Sequence, residues 1–313
     1  MNPTRRQLWV LVLLTLVWGL NWPVMKLGVS GTPAAPASWP PLTFRALSMV
    51  FGLPVLAAAL WWLKVPFRVP RALWGEVVKL ALPNMIVWHV VVILALQSLS
   101  SGRSAILAYT MPVFSALWGV AVFGDRLGLR PSVGVAAAGL GVVLLLWSEF
   151  SSLSGAPLAA LAMLGSACIW GLGTHLLRRS TAPLALLTLV FWMTALAAGV
   201  VLLLAWVFER HAWRWPTPAV AWAIVYNAVA VFGFAHAAWF YLARSMPPVA
   251  STISVMMIPV LGTFSGAWAL GEALHWQDFA AMALMVLAIG AVLWRQTTAG
   301  ADAPAAGSSR SSA

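Results

Sequence analysis

Three asparagines, Asn21, Asn84 and Asn227, sit in stretches that are otherwise apolar and rich in tryptophan. An amide both donates and accepts, so at depth it must find a partner or present its atoms to a ligand. Trp18, Asn21, Trp22 and Met25 share one helical face at about 100° per residue. Asn84 and Trp88 are one turn apart, with Pro83 freeing a backbone carbonyl beside them and His89 on the adjacent side. Tyr226 precedes Asn227, and Tyr109, Trp170 and Met256 add aromatic and thioether surface. Such side chains recognise a ligand through hydrogen bonds and π faces. They also serve a packed interface in which an asparagine bonds a neighbouring helix. Asn227 and His236 lie nine residues apart, about 180° on a regular helix, so Tyr226 and Asn227 are chosen to face the site.

Charges bound the chemistry further. Glu76, Asp125, Glu149, Glu209, Glu272, Asp278 and Asp302 all fall near the ends of apolar stretches or between them. No central carboxylate is available to exchange a cation for a proton. A histidine must carry any coupled proton, or else the protein is a facilitator. Asp125 and Glu272 read as caps for the helix that follows each. Lys26 and Arg45 lie toward the outer ends of the first two helices. Each alone reads as a snorkelling cation, and as a pair at an outer vestibule they would attract carboxylates. Catalysis needs acids, bases or nucleophiles gathered at one depth, and the five histidines are scattered, so no enzyme and no cofactor is expected. The single Cys168 excludes an internal disulfide framework and a multi-cysteine metal site.

The elements that must position these residues follow from composition. Of 313 residues, 62% are hydrophobic and 8% charged, against about 25% charged in soluble domains. The solvent is lipid, where only helices or closed barrels satisfy the backbone, and continuous apolar runs favour helices. Ten runs reach the roughly 20 residues needed to cross, at 7–29, 42–63, 73–97, 102–123, 131–148, 156–178, 183–208, 218–243, 248–271 and 276–294. The first is too long for a signal-peptide core of about 7–15 residues and is kept as a helix. Cations lie mostly in short loops, so the net charge of +11 reads as membrane orientation rather than nucleic-acid binding. With the N-terminus inside, only Lys26, Arg45, Arg103, Arg210 and Arg214 of the 18 Lys and Arg fall outside. Both termini are therefore expected in the cytoplasm. Trp9, Trp61, Trp62, Trp147, Trp215 and Trp276 are among those expected to form an interfacial belt.

The chain also matches itself. A shift of 147 places Ser104 on Ser251, Pro112 on Pro259, Gly119 on Gly266, Gly124 on Gly271, Asp125 on Glu272 and Trp147 on Trp294. Trp18-Gly19-Leu20 recurs as Trp170-Gly171-Leu172. The expected organisation is a five-helix repeat at 1–148, a linker at 149–155, a second repeat at 156–295 and a disordered tail at 296–313. Five is odd, so the second copy starts from the opposite side of the membrane, an inverted repeat. Pro112 and Pro259 should bend the fourth and ninth helices and act as hinges.

The stretch Trp18-Gly19-Leu20-Asn21-Trp22-Pro23-Val24-Met25-Lys26 resembles the first-helix pattern of EamA-type members of the drug/metabolite transporter superfamily. Arg45, the proline-centred fourth and ninth helices, Gly124-Asp125 and Gly271-Glu272 fit the same pattern. The resemblance covers about residues 7 to 295. It implies a carrier in the bacterial cytoplasmic (inner) membrane, often an exporter of amino acids or other small metabolites. The expected partners are a small-molecule substrate and the bilayer. A membrane-embedded enzyme and a facilitator or channel are the alternatives.

Overall fold

The fold is that of a computed structural model, which describes residues 4–30, 39–125, 128–151, 155–238, 242 and 248–298, with side chains throughout except at 248–255 and 292–298. Among the described residues there are ten helices and no strand. They are α1 (Arg5–Ser30), α2 (Pro41–Trp62), α3 (Arg71–Ala95), α4 (Ser101–Phe123), α5 (Leu129–Ser151), α6 (Pro157–Arg179), α7 (Leu186–Glu209), α8 (Pro218–Ala238), α9 (Pro248–Leu270) and α10 (Trp276–Thr298). The first eight are long and apolar enough to cross a membrane, and α9 and α10 are apolar helices of 23 residues. Large apolar side chains stand exposed around the outside, Leu140, Val143 and Leu203 among them, where a soluble protein would carry charge. The chain is a polytopic membrane protein.

Local chemistry sets the helix limits. Pro41, Pro157, Pro218 and Pro248 open α2, α6, α8 and α9, where a fixed φ is pre-set for a helix and no N–H is wasted. Gly124 (φ 72°) and Gly271 (φ 67°) close α4 and α9 in the left-handed region that glycine enters freely. In both places the following acid folds back over the last turn. Asp125 Oδ2 and Glu272 Oε2 lie 2.6 and 2.5 Å from where a Cβ on Gly119 or Gly266 would stand.

Packing follows one pattern. α1 lies against α8 and α9, and α6 against α3 and α4; α2 lies against α8, and α7 against α3. α2 also packs on α7, α4 on α9 and α5 on α10. Exchanging the first five helices for the last five, in order, maps this set of pairs onto itself, the last three each onto itself, while smaller contacts such as α2 on α3 and α4 on α10 lack a counterpart of like extent among the described residues.

Three features depart from a regular reading. α4 is interrupted at Tyr109–Thr110, just before Pro112, whereas α9 runs through Pro259 as one helix. The helix is thus broken before Pro112 in α4 and continues through Pro259 in α9. Two other helices widen instead, into π turns at Leu82–Val87 in α3 and Asn227–Ala235 in α8. A shift of 147 carries the first π segment inside the second. In α3 the cause is Pro83, which cannot donate four residues back. α10 continues to Thr298, past the expected start of the tail. The rest of that tail, and the side chains of Ser251, Ser254 and Trp294, lie outside what is described.

Candidate functional site

The π turn of α8 builds the centre of the molecule. Bonding of i to i+5 turns the chain by roughly 80° per residue, so the nine steps from Asn227 to His236 close on two full turns. The opposite faces expected for a regular helix become one face. Asn227 Oδ1 lies 3.5 Å from Arg45 Nη1. Phe232 stacks on His236 with ring centroids 5.5 Å apart and interplanar angle 5°. Phe232 also meets the His89 ring at 5.3 Å and lies 5.9 Å from the Arg45 guanidinium carbon. His236 Nδ1 donates at 2.8 Å to the Val231 carbonyl, which also accepts the His236 backbone N–H five residues on. Trp18 of α1 closes on His236 edge-on at 6.2 Å, and Met25 Sδ lies 2.6 Å from Arg45 Nη2. Asn21 lies between Trp18 and Met25 on that face of α1.

Polar atoms in this cluster are incompletely satisfied. Arg45 is only 1% exposed, and among the described residues its Nε has no hydrogen-bond partner. The same holds for both ring nitrogens of His89 and for Asn21 Oδ1. Arg45 is thus not exposed at the start of α2 but buried beside Asn227, midway along α8. Each described acid is engaged elsewhere. Glu76 pairs with Lys79, Asp125 with His175 and Arg179, and Glu149 and Asp278 with Arg103. Glu209 and Glu272 cap helices. A buried cation is costly without an opposing charge, and among the described residues none faces Arg45.

The remaining candidates divide. Trp88 and Trp170 meet across α3 and α6 at 4.9 Å. Asn84 sits one turn below Trp88, against Gly173 of α6, and its Nδ2 donates to the Leu80 carbonyl at 2.9 Å. Asn227 does the same toward Ala223 in α8, at 3.1 Å. Tyr109 is buried at the break in α4. Trp22 turns toward Gly262 of α9, and Met256 reaches Gly290 of α10. Tyr226 donates to the Val17 carbonyl at 2.8 Å and ties α8 to α1. Lys26 is tied to a different helix from Arg45. Its Nζ donates to the carbonyls of Leu96 and Gln97 at 2.9 and 2.8 Å, capping the C-terminus of α3, where a cation suits the helix dipole.

Both ends of the bundle are tied. At one end the Glu272 carboxylate accepts from the Ser101 N–H at 2.8 and 2.9 Å and from its hydroxyl at 3.0 Å. Glu209 does likewise for Leu42 and Thr43 at the start of α2. Arg103 joins Asp278 at 2.8 Å, Ser148 at 3.2 Å, and Glu149. Glu149 also caps α6 through the Ala156 N–H at 2.6 Å. At the other end Asp125 meets His175 and Arg179 at 3.5 and 3.2 Å. There, Thr188 and Trp192 donate to the carbonyls of Pro66 and Phe67. Asp125 and Glu272 each bind a helix other than the one that follows them.

Comparison with known proteins matches this arrangement to one family. The model of the EamA-like transporter family matches twice, at residues 6–147 and 157–294. The uncharacterized inner membrane transporter YedA of Escherichia coli K12 is 28% identical over 289 residues, covering 88% of this chain and 87% of that protein. The uncharacterized transporter YoaV of Bacillus subtilis is 21% identical, covering 82% of this chain and 86% of its own length. A solved crystal structure of a protein shares the fold at a TM-score of 0.60 and 23% identity, over 91% of this chain and 97% of that one.

Proposed function

Since the chain belongs to the EamA-like transporter family, we propose that it carries a small metabolite, such as an amino acid, across the bacterial inner membrane by alternating access. The two units are 1–148 and 156–295, joined at 149–155 and inverted with respect to each other. The observation that carries the reading is the exchange symmetry of the helix packing, centred on a buried polar cluster drawn from α1, α2, α3 and α8. Mirrored halves can open a shared site to either side at similar energy. The five-helix period and the tie of Glu149 to α6 support inversion, because the second unit starts at the end where the first one finishes.

Substrate binds among Trp18, Asn21, Arg45, His89, Asn227 and His236, and the Asn84, Trp88 and Trp170 group lines its path. Tyr226, Met256, Trp22 and Lys26 hold the helices that carry the site. The break at Tyr109–Thr110 lets α4 flex beside Pro112, and Pro259 gives α9 its hinge. The Arg103 end faces outward and both termini face the cytoplasm, in keeping with the bias of Lys and Arg. Net flux is outward, as an exporter.

Counterflow in proteoliposomes tests this against an enzyme or a channel. Vesicles loaded with each of a panel of unlabelled amino acids and small carboxylic acids should concentrate the matching labelled solute. Asn21→Ala and Asn227→Ala should lower that exchange at least about tenfold. Labelled solute that only equilibrates means a channel, and no flux for any solute discards the carrier.

A further inference from the structure

Among the described residues the Arg45 guanidinium is the one charged side chain in the central cluster, and the packing around it offers little negative potential. Its contacts are a thioether sulfur, an amide oxygen at 3.5 Å and the face of Phe232. A thioether is a weak acceptor. The Nε hydrogen and the His89 nitrogens have no partner, and six of the seven acids are committed to other cations or to helix N-termini; the seventh, Asp302, lies outside the described residues. Arg103 gives the contrast within the same chain, because it is closed in by two carboxylates and a hydroxyl.

From this we infer that Arg45 is the anchor for a carboxylate on the transported molecule, so that the substrate class is small organic mono-anions with an apolar or aromatic body. A guanidinium presents two parallel N–H groups that fit a carboxylate. His89 and the amides of Asn21 and Asn227 border the anchor and complete its hydrogen bonding, while Trp18, Phe232 and His236 supply flat surface for the body. Among the described residues no carboxylate in the cluster can receive an ammonium group, so of the metabolites proposed above simple carboxylic acids are favoured over amino acids, and a cation of the same shape is rejected by Arg45 itself. The inference rests on the carrier reading, and it adds which end of the substrate is read and by what.

The test is binding to the full chain in lipid nanodiscs, with acid and amide pairs of matched shape: phenylacetate with phenylacetamide, and isovalerate with isovaleramide. Ligand-induced shifts of the thermal unfolding midpoint give the affinities. Wild type should bind at least one acid about tenfold or more tighter than its amide. Arg45→Gln should erase that preference, and Arg45→Lys should keep part of it. Without ligand, Arg45→Gln should unfold no earlier than wild type, because it removes a buried charge that lacks a counter-ion. His89→Gln should weaken the acid and leave the amide unchanged. Equal binding of acids and amides by wild type overturns the inference, as does an acid preference that survives Arg45→Gln. An Arg45→Gln protein that unfolds earlier, or fails to fold, makes Arg45 a structural cation and overturns it as well. The counterflow experiment decides the carrier reading separately: exchange of solutes without any preference for the anion leaves a carrier standing and removes only the anchor.

Discussion

Replacing Arg103 by methionine keeps much of its volume and removes its charge, and the structure sets the expected cost. Its side chain is 13% exposed, and those of Glu149 and Asp278 are 7% and 5% exposed. Breaking a buried pair from one side leaves uncompensated charge and costs about 3–5 kcal/mol. Two carboxylates are stranded here, yet each keeps a backbone donor, Ala156 N–H for Glu149 and His275 N–H for Asp278. The lower end of the range, about 3 kcal/mol, is therefore expected. For a chain of this size that is a fall of roughly 6–12 °C in the unfolding midpoint. Thermal unfolding in nanodiscs measures it. Adding Glu149→Gln and Asp278→Asn to Arg103→Met should restore most of the loss, because neutral amides no longer need the cation. If Arg103→Met is as stable as wild type, or the triple variant is no better than the single, the cluster is not the tie described here. The same removal of charge at Arg45 is expected to have no such cost, so the two arginines separate a structural cation from a binding one.

Three further outcomes follow from the geometry. Lys26→Met should lose about 2 kcal/mol by uncapping α3, read by urea or SDS unfolding in mixed micelles; unchanged stability with weakened solute entry would return Lys26 to a vestibule. Gly173→Ala puts a Cβ 2.6 Å from Asn84 Oδ1 and should cost about 1–3 kcal/mol, with Asn84→Ala recovering most of it in the double variant; two independent, additive losses would mean the helices do not meet there. Deleting Ala230 should restore regular bonding in α8 and turn His236 by about 100° away from its neighbours. Counterflow should then vanish while the protein still inserts and folds, and normal exchange by the deletion variant would show that the π turn does not shape the site.

Helix order and limits were legible because lipid demands long unbroken apolar runs and proline marks their starts. Pro157, Pro218 and Pro248 stand within a residue of where periodicity placed them. A regular helix sets Asn227 and His236 on opposite faces, and the π segment of α8 is the distortion that changes this. Side-chain direction was projected from a regular helix, and a change from i+4 to i+5 bonding rotates everything beyond it. Proline signalled the comparable turn in α3, whereas α8 reaches its π turn without one. Lys26 and Arg45 looked alike in the sequence, at similar distances from helix ends. Tertiary contact separates them: the end of α3 stands ready to accept from Lys26, while α8 draws Arg45 inward. The signal that was available for Arg45 was the absence of any acid at its depth. Glu209 and Glu272 were placed at helix ends but assigned no distant partner, since a cap supplied from the other half of the chain leaves no local spacing to read.

Alternating access can be measured without knowing the substrate. In a Cys168→Ala background, spin labels at positions 150 and 215 report the Arg103 end, and labels at 62 and 181 report the Asp125 end; all four residues are exposed. Pulsed electron–electron resonance in nanodiscs gives both distance distributions, before and after Asp278→Asn loosens the Arg103 tie. Reciprocity is expected: the 150–215 distance lengthens while the 62–181 distance shortens. Both distances unchanged, or both lengthening together, would contradict two halves that rock about a shared central site.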